Sequence, residues 1–337
     1  MLKMKKILAI KFKYLGDVAV AIPSLRALRE AFPKAALHVL VAEEAAPLIK
    51  HLDWIDRIWE FPRKRGHGSI RRSLPLLLDL RKEHFDRSVD FVGNDRGALL
   101  SRLIGAQRRL GVIAPKGFWG RRFCYTERIE EADLNKHEIV RDLMVLQKWD
   151  IPFPLEPRIE IRPNPALQAD ARSINPYPVL AHISTSQPKK EWPLEHWNQL
   201  YELARKAHIH MCFSAGPSDR EQALLRGLKR LNAYIPVLEK IPDLETFIAV
   251  LAQSKVLISP DTAPLHIAAG LDIATIALFG ATASHRWAPL GSKHVVLQGE
   301  LCPCSGHAHT CQCQRHCMAT IRPETVFNKL KLASTNF

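Results

Sequence analysis

The C-terminal half contains a stretch whose side chains suit phosphate oxygens. In HISTSQPKKEWP, the hydroxyls of Thr185 and Ser186 precede the ammonium groups of Lys189 and Lys190. Hydroxyl and ammonium donors close to the start of a helix are typical of phosphate sites. A polar loop with a Ser or Thr helix cap explains the same residues equally well. The stretch alone therefore leaves a phosphate site and a plain helix start as alternatives.

Two further stretches place carboxylates near predicted helix starts. In FSAGPSDREQA, Asp219 either hydrogen-bonds the hydroxyls of a ribose or caps the next helix. In ISPDTAPLHIAAGL, Pro264 predicts a first helical turn with Asp261 or Thr262 as its cap. Free backbone N–H groups at such a start attract an anion. His266 in that turn either packs at a domain seam or, beside an anion site, contacts the ligand.

The N-terminal half contains a candidate general base. In KYLGD, Gly16 predicts a turn after the first strand, and Asp17 lies at the start of a helix that we expect from about Val18. A carboxylate at such a position usually caps the helix. It can instead take a proton from an attacking hydroxyl within hydrogen-bond reach. Both roles stay open on the sequence alone.

The elements that must position these residues alternate between strand and helix. Apolar runs such as KILAIKF, ALHVLVA, YPVLAHIS, KVLISP and ATIALFG predict strands, and the segments between them predict helices. This alternation indicates parallel α/β sheets, which bind ligands at the carboxyl ends of their strands. A run of prolines between residues 151 and 178 predicts a crossing between domains. We expect an N-terminal Rossmann-like domain over 1–165 and a C-terminal one over 166–337.

The net charge of +14 is concentrated in the N-terminal half. Residues 1–165 carry 31 Lys and Arg against 21 Asp and Glu, a difference of +10. The clusters RKRGHGSIRR, QRR and GRR suit nucleic acid, anionic lipid headgroups or a phosphorylated substrate. No zinc finger, helix-turn-helix or aromatic-basic pattern accompanies the charge. We therefore expect no nucleic-acid partner.

The first residues and the hydropathy predict where the protein resides. The opening MLKMKKILAIKFKYLGD begins like a signal peptide, but Lys11 and Lys13 interrupt its apolar segment. No window approaches the roughly 18 apolar residues that a membrane-spanning helix needs. We therefore expect a cytoplasmic protein.

Five stretches together resemble glycosyltransferase family 9, the ADP-heptose:lipopolysaccharide heptosyltransferases. They are GDVAVAIPSLRALREAFP, HISTSQPKKEWPLEHW, SAGPSDRE, SPDTAPLHIAAGL and the cysteine-rich stretch that leads to IRPETV. The resemblance spans nearly the whole chain. It implies a GT-B architecture, an α/β fold of two Rossmann-like doubly wound parallel-sheet domains facing a central cleft. It also implies that the acceptor binds mainly to the N-terminal domain and the nucleotide-sugar donor, ADP-heptose, to the C-terminal one.

The resemblance implies an inverting transfer that requires no metal or other cofactor. Asp17 matches the base that deprotonates an acceptor hydroxyl, which attacks the anomeric carbon opposite the departing ADP. Thr185, Ser186 and Lys190 match diphosphate-binding positions, and Asp219 lies near the ribose-binding acidic position. The matches to the donor-binding loop are Asp261, Thr262, Ala263 and His266. A lysine, hydroxyls and a helix start can neutralise the diphosphate without a cation.

The basic N-terminal half suits a lipid-linked glycan acceptor that carries phosphates and acidic inner-core sugars. We expect the protein to contact the cytoplasmic face of the inner membrane as a peripheral protein. The C-terminal tail is free to pack back on the N-terminal domain. The residues that we assign to acceptor binding are Lys13, Gly16, Arg63, Lys64, Arg65, Arg121 and Arg122.

Two features depart from the family's pattern. Ala263 stands where several relatives carry Gly after Asp-Thr, and it keeps the position small. The stretch CPCSGHAHTCQCQRHC has a composition that suits zinc or iron, although C-x-C spacing is less typical of metal sites than C-x-x-C. A structural metal therefore stays an alternative. The cysteines concerned are Cys302, Cys304, Cys311, Cys313 and Cys317.

Other functions remain open at this point. A sister enzyme would move another sugar onto a surface glycan. A nucleotide-sugar epimerase of similar two-lobed shape would need no acceptor, so product analysis separates it from a transferase. A basic nucleic-acid-binding module, which only the charge favours, would bind duplexes with a steep salt dependence and would bind no nucleotide-sugar.

Overall fold

The chain forms two compact units, Met1–Ile161 and Arg162–Phe337. The computed structural model describes residues 5–64, 67–68, 70–113, 117–130, 136–300 and 317–334. The division between the units falls within the proline-rich segment. Each unit is built around its own parallel sheet.

The N-terminal unit alternates strands and helices along the chain. Its strands are β1 (Lys6–Lys11), β2 (Ala36–Ala42), β3 (Arg57–Phe61), β4 (Arg63–Lys64), β5 (His67–Gly68), β6 (Arg87–Asp90), β7 (Arg108–Ile113) and β8 (Glu127–Glu130). Its helices are α1 (Leu15–Ala31), α2 (Ile70–Lys82), α3 (Asp95–Ile104) and α4 (Glu138–Leu146). Six strands form a parallel sheet in the order β3-β2-β1-β6-β7-β8, and β4 pairs antiparallel with β5.

Helices cover both faces of this sheet. α1 packs against α4, and α2 packs against α3. Right-handed crossovers place α2 and α3 on the face opposite α1, because the chain moves from β1 toward one edge and from β6 toward the other. A strand covered on both faces needs apolar residues throughout, and β1 accordingly buries the whole run from Ile7 to Ile10.

The C-terminal unit repeats the pattern with five strands. They are β9 (Val179–His182), β10 (Met211–Ser214), β11 (Val256–Pro260), β12 (Ala274–Phe279) and β13 (His294–Gln298). Its helices are α5 (Gln168–Ile174), α6 (Leu194–Lys206), α7 (Asp219–Leu231), α8 (Leu244–Leu251), α9 (Ala263–Gly270), α10 (Ser284–Trp287) and α11 (Pro323–Ser334). The parallel sheet has the order β10-β9-β11-β12-β13.

Aromatic residues fill one side of the C-terminal core. Trp192, Trp197 and Phe213 are buried and meet edge to face, with ring centroids 4.7 Å apart for the two tryptophans. The Trp192 indole N–H donates to the carbonyl of Ile321 at 3.0 Å, which ties the segment before α11 to this core. α11 then packs against α6 of the same unit.

The predicted parallel α/β fold is confirmed, and two local details are wrong. α1 begins at Leu15 rather than near Val18, so Gly16 is a helical residue and not a turn. The N-cap position of α1 is Tyr14, and Asp17 lies in the first turn without capping the helix. The weakly patterned strands β8 and β13 were not predicted, because their alternating or charged residues suit edge positions rather than a continuous apolar run.

A glycine in β7 makes room for a buried tyrosine. A Cβ at Gly111 would lie 2.1 Å from Cε1 of Tyr125, whose hydroxyl donates to the buried Asp90 carboxylate at 2.6 Å. Gly111→Ala should therefore lower the free energy of unfolding by about 1–3 kcal/mol, since the ring cannot move without losing that hydrogen bond. Urea denaturation measures the change. The control is Gly120→Ala, whose Cβ would meet only the ring of the partly exposed Phe118, and an equal loss in both variants would contradict the explanation.

Candidate active site

Three loops of the C-terminal unit meet at the carboxyl edge of its sheet. β9 lies between β10 and β11, and the chain moves from β9 to β10 on one side before it returns to β11 on the other. This reversal is the switch point where open parallel sheets bind ligands. All the residues predicted to hold the donor follow β9, β10 or β11. The topology therefore brings them to one edge.

An ion pair joins the loops that follow β9 and β11. Lys190, at the end of a 3-10 turn over Pro188–Lys190, donates through Nζ to Oδ2 of Asp261 at 2.6 Å. Both side chains are largely but not fully buried, 21% exposed for the lysine and 9% for the aspartate. An ammonium has three donors, so the bond to Asp261 leaves Nζ able to bind further oxygens. The ion pair therefore holds the Lys190 ammonium in place at the edge of the sheet.

The hydroxyl of Thr185 shapes the loop after β9. Its Oγ1 donates to the carbonyl of Gln187 at 2.5 Å and accepts from the backbone N–H of Gln187 at 3.1 Å. Thr185 is buried, whereas Ser186 beside it is exposed. The two hydroxyls that the sequence grouped together thus have different environments, one within the loop and one open to solvent.

Arg220, which the sequence did not single out, connects this loop to α7 through hydrogen bonds. Arg220 donates to Oε1 of Glu191 at 2.7 Å and also to the carbonyl of Thr185. The backbone N–H of Thr185 donates to the same Glu191 oxygen at 3.1 Å. The contacts fix the loop from both sides of Thr185. The letters SDRE contain Arg220, but no local spacing signals a partner so far away in sequence.

The start of α7 settles which residue caps it. Ser218 is the N-cap and forms a capping box with Glu221, so the interpretation of Asp219 as the cap is wrong. Asp219 is the first helical residue and is exposed. Glu221 also accepts from the hydroxyl of Ser184 at 3.2 Å, which links the loops after β9 and β10. Asp219 is thus left available at the carboxyl edge.

The first turn of α9 follows the predicted pattern. The helix begins at Ala263, Thr262 occupies the N-cap position without a side-chain cap bond, and Pro264 is in the first turn. The backbone N–H groups of this turn give the start of the helix a partial positive charge. His266 is buried, with its ring centroid 6.3 Å from that of Trp287. Packing therefore accounts for part of the environment of His266.

Asp17 lies next to a buried ion pair that the sequence did not reveal. At the end of β1, Lys11 Nζ donates to both oxygens of Asp142 in α4, at 2.9 and 2.6 Å. Burial raises the pKa of the Asp142 carboxyl to about 6 despite this partner. Burial opposes the charge of Lys11, but Asp142 and then Asp17 outweigh it, so the pKa of Lys11 is raised. Asp17 is half-buried and adds a second negative charge beside Lys11.

The residues assigned to acceptor binding have different environments. Arg121 is buried and donates through Nε to Oδ1 of Asp95 at 2.8 Å, so much of its charge is neutralised within the fold. The Arg122 guanidinium lies 4.9 Å from the ring centroid of Phe123. Lys13 is half-buried and Gly16 belongs to α1. Of the remaining three, Arg63 and Lys64 form β4, and Arg65 lies outside the described residues.

Of the five cysteines that suggest a metal site, Cys317 lies among the described residues. Cys317 is buried beneath Gly280, where a Cβ would lie 2.8 Å from its sulfur. Among the described residues no cluster of three or more His, Cys, Asp or Glu suits a metal ion. The other four cysteines of the stretch, Cys302, Cys304, Cys311 and Cys313, lie outside the described residues.

Known proteins share this fold and sequence pattern. A glycosyltransferase family 9 protein from Veillonella parvula superimposes with a TM-score of 0.88 and 18% identity, covering 100% of this chain and 99% of its own. The E. coli heptosyltransferase WaaC with ADP-2-deoxy-2-fluoro heptose gives a TM-score of 0.69 and 20% identity, covering 98% and 100%. Lipopolysaccharide heptosyltransferase 3 of E. coli K12 is 22% identical over 293 residues, 82% of this chain and 83% of the relative.

The structural likenesses define the fold first, which is the GT-B fold. The family model for glycosyltransferase family 9 (heptosyltransferase) matches residues 74–316. The chain therefore belongs to that family. The predicted resemblance and the prediction of a glycosyltransferase are confirmed.

A buried histidine beneath the C-terminal loops makes stability depend on pH. His182 ends β9, and its ring nitrogens lie 3.1 Å from Ser214 Oγ and 3.3 Å from Ser184 Oγ. Burial lowers its pKa to about 4, from the 6.5 of a free side chain. Between these values the unfolded chain binds a proton that the folded chain does not. Stability should therefore fall by about 3 kcal/mol as the pH drops from 6.5 to 4.

The variant His182→Gln should lose less stability than the wild type over that pH range. Urea denaturation at pH 7, 5.5 and 4.5 measures the difference. The matched control is His210→Gln, because His210 is exposed. Parallel curves for wild type and His182→Gln would contradict the assignment.

Proposed function

We propose that this glycosyltransferase moves a heptose from ADP-heptose onto an inner-core sugar of a lipopolysaccharide acceptor, with inversion and without a metal. The observation that carries the proposal is the Lys190–Asp261 pair at the carboxyl edge of the C-terminal sheet, between the loop after β9 and the start of α9. A family relative with the same fold has been solved with an ADP-heptose analogue, which supports this choice of donor.

The donor site must stabilise a departing diphosphate. As the glycosidic bond to ADP breaks, negative charge grows on the β-phosphate oxygens. Lys190 supplies a fixed ammonium, and the start of α9 supplies the positive end of a helix dipole. Because these groups are already in position, they stabilise the negative charge that develops on the phosphate without having to reorganise. A divalent cation is not needed for this balance, and we propose that none takes part.

Further residues at the same edge of the sheet are assigned to contacts with the donor. Asp219 is exposed at the start of α7, where its carboxylate can accept hydrogen bonds from the ribose hydroxyls. Ser186 is the exposed hydroxyl of the β9 loop and is assigned to the diphosphate, while Thr185 positions the loop through its bonds to Gln187. Thr262, Ala263 and His266 are assigned to the wall of the sugar pocket.

In the N-terminal unit, Asp17 is assigned as the general base. Its carboxylate would take the proton from the acceptor hydroxyl while that oxygen attacks the anomeric carbon opposite ADP. Lys11 is held by Asp142 and lies close enough to Asp17 to interact with its charge.

The acceptor is assigned to the basic residues of the N-terminal unit. Lys13 and Arg122 are proposed to contact phosphates or acidic sugars, and Arg63, Lys64 and Arg65 belong to the same basic region of sequence. Because Arg121 is bound to Asp95, we assign it to shaping the turn that presents Arg122. Such an acceptor is lipid-linked, so the enzyme is proposed to work at the cytoplasmic face of the inner membrane.

The base assignment predicts a loss of chemistry without a loss of donor binding. Asp17→Asn should reduce transfer by at least about 100-fold, the lower end of what a general base contributes. The dissociation constant for ADP, measured by calorimetry, should stay within about twofold. Glu43→Gln is the control, as an exposed carboxylate of the same unit. Near-normal turnover in Asp17→Asn would refute the role.

The assignment of Lys190 to the donor predicts that its loss weakens donor binding. Lys190→Ala should weaken ADP binding by about 10-fold or more, as expected for the loss of a charge-assisted hydrogen bond to phosphate. Lys206→Ala, at the exposed end of α6, is the matched control. An unchanged dissociation constant for ADP would count against Lys190.

Release of an epimerised free nucleotide-sugar, with no glycolipid product, would favour the epimerase instead.

A further inference from the structure

Helices α2 and α3 expose leucines where solvent-facing helices usually carry polar residues. Leu74 and Leu78 lie one turn apart on α2, and Leu99 and Leu103 lie one turn apart on α3. All four are between 46% and 54% exposed. The two helices pack side by side on the same face of the sheet. Their leucine stripes therefore form neighbouring parts of one outer surface.

The turn over Trp119–Cys124 adds exposed aromatic residues next to α3. Trp119 is 82% exposed and Phe123 is 59% exposed, and this turn packs against α3. The two rings meet with centroids 5.7 Å apart, and the guanidinium of Arg122 lies over both. An exposed Trp-Phe pair beside an arginine is unusual in water and typical of the bilayer interface, where an amphipathic ring has one apolar and one wet side.

A cluster of arginines borders the leucines. Arg81, Arg102 and Arg109 line a shallow cavity of about 450 Å³ together with Leu103 and Gly105. No carboxylate lines this cavity among the described residues. Burial and then the neighbouring Arg102 lower the pKa of Arg109, so the guanidinium groups repel one another there. An anion placed in the cavity would relieve that repulsion.

The acidic residues of the same elements do not cancel this positive charge. Asp79 of α2 is paired with Lys82, and Asp95 of α3 is paired with Arg121. Arg96 and Arg102 remain on the exposed side of α3, next to Leu99 and Leu103. The surface is thus apolar and cationic together. A second copy of the chain would bring like charges into contact, whereas an anionic bilayer complements both properties.

We propose that this surface, which comprises the outer sides of α2 and α3 and the turn over Trp119–Cys124, docks on an anionic phospholipid bilayer. The leucines and the two aromatic rings enter the interfacial layer, and the arginines bind headgroup phosphates. Among the residues described, no helix is long and apolar enough to cross a bilayer. The inference rests on the proposed function in one respect, because a lipid-linked acceptor requires the enzyme to meet a membrane.

Vesicle flotation tests the surface directly, with the full-length protein and no acceptor present. The vesicles contain phosphatidylethanolamine with 30% phosphatidylglycerol, or phosphatidylcholine alone, where about a third of anionic lipid gives a strongly negative surface. The wild type should float with the anionic vesicles and not with the neutral ones. Trp119→Ala/Phe123→Ala and Leu99→Ser/Leu103→Ser should each reduce the bound fraction strongly. Arg102→Glu should weaken binding at least roughly fivefold.

Matched substitutions on the other unit separate this surface from general charge and apolarity. Leu332→Ser removes a leucine of α11 that is 66% exposed, and Arg230→Glu reverses an exposed arginine of α7. Both controls should float like the wild type. All substituted side chains are exposed, and equal melting temperatures would show that the variants are folded.

Three results would overturn the proposal. One is an absence of wild-type binding to the anionic vesicles, and another is equal binding by wild type and surface variants. The third is a concentration-dependent dimer in sedimentation velocity that Trp119→Ala/Phe123→Ala abolishes, which would assign the surface to a second copy.

Transfer to a de-acylated, water-soluble acceptor should be unchanged in Leu99→Ser/Leu103→Ser. If the wild type lacks that transfer, the proposed function fails, whatever the vesicles show.

Discussion

Parallel strand pairing with right-handed crossovers is the constraint from which the candidate site follows. Every loop that leaves a strand of such a sheet emerges at the same edge, and it emerges beside the start of a helix. In the C-terminal unit this brings Lys190 within 2.6 Å of Asp261, although 71 residues separate them in sequence. In the N-terminal unit the short turn from β1 into α1 brings Asp17 close to Lys11, and the fold adds Asp142 from 131 residues away. Both sets of charges therefore combine local and long-range contacts.

The charges at the C-terminal edge are divided between those that hold the loops and those that we propose bind the donor. Glu191 is occupied by Arg220 and by the backbone of Thr185, and Glu221 is occupied by Ser218 and Ser184. These carboxylates fix the backbone. Lys190, by contrast, has one bond to Asp261 and donors to spare. The proposed departure of ADP needs this combination, because a cation that is already positioned does not have to reorganise as charge develops.

The sequence predicts the elements well and the partners poorly, for physical reasons. Buried parallel strands such as β1 and β11 are continuous apolar runs, and a proline marks the first turn of α9, so these are visible locally. The start of α1 was misassigned, and Ser218 rather than Asp219 caps α7, since several adjacent residues can cap a helix and only the backbone angles decide. The Lys11–Asp142 pair spans 131 residues. No local pattern encodes a contact that only the assembled fold creates.

Two adjacent arginines show why net charge alone is a weak guide to function. In the sequence GRR, both residues contribute equally to the +14 charge of the chain. In the fold, Arg121 turns inward to Asp95, and its charge stabilises the turn. Arg122 turns outward and stacks on the exposed Trp119 and Phe123. Only the outward group can attract an anionic acceptor or bilayer, so the functional charge of this unit is the part that the fold leaves without carboxylate partners.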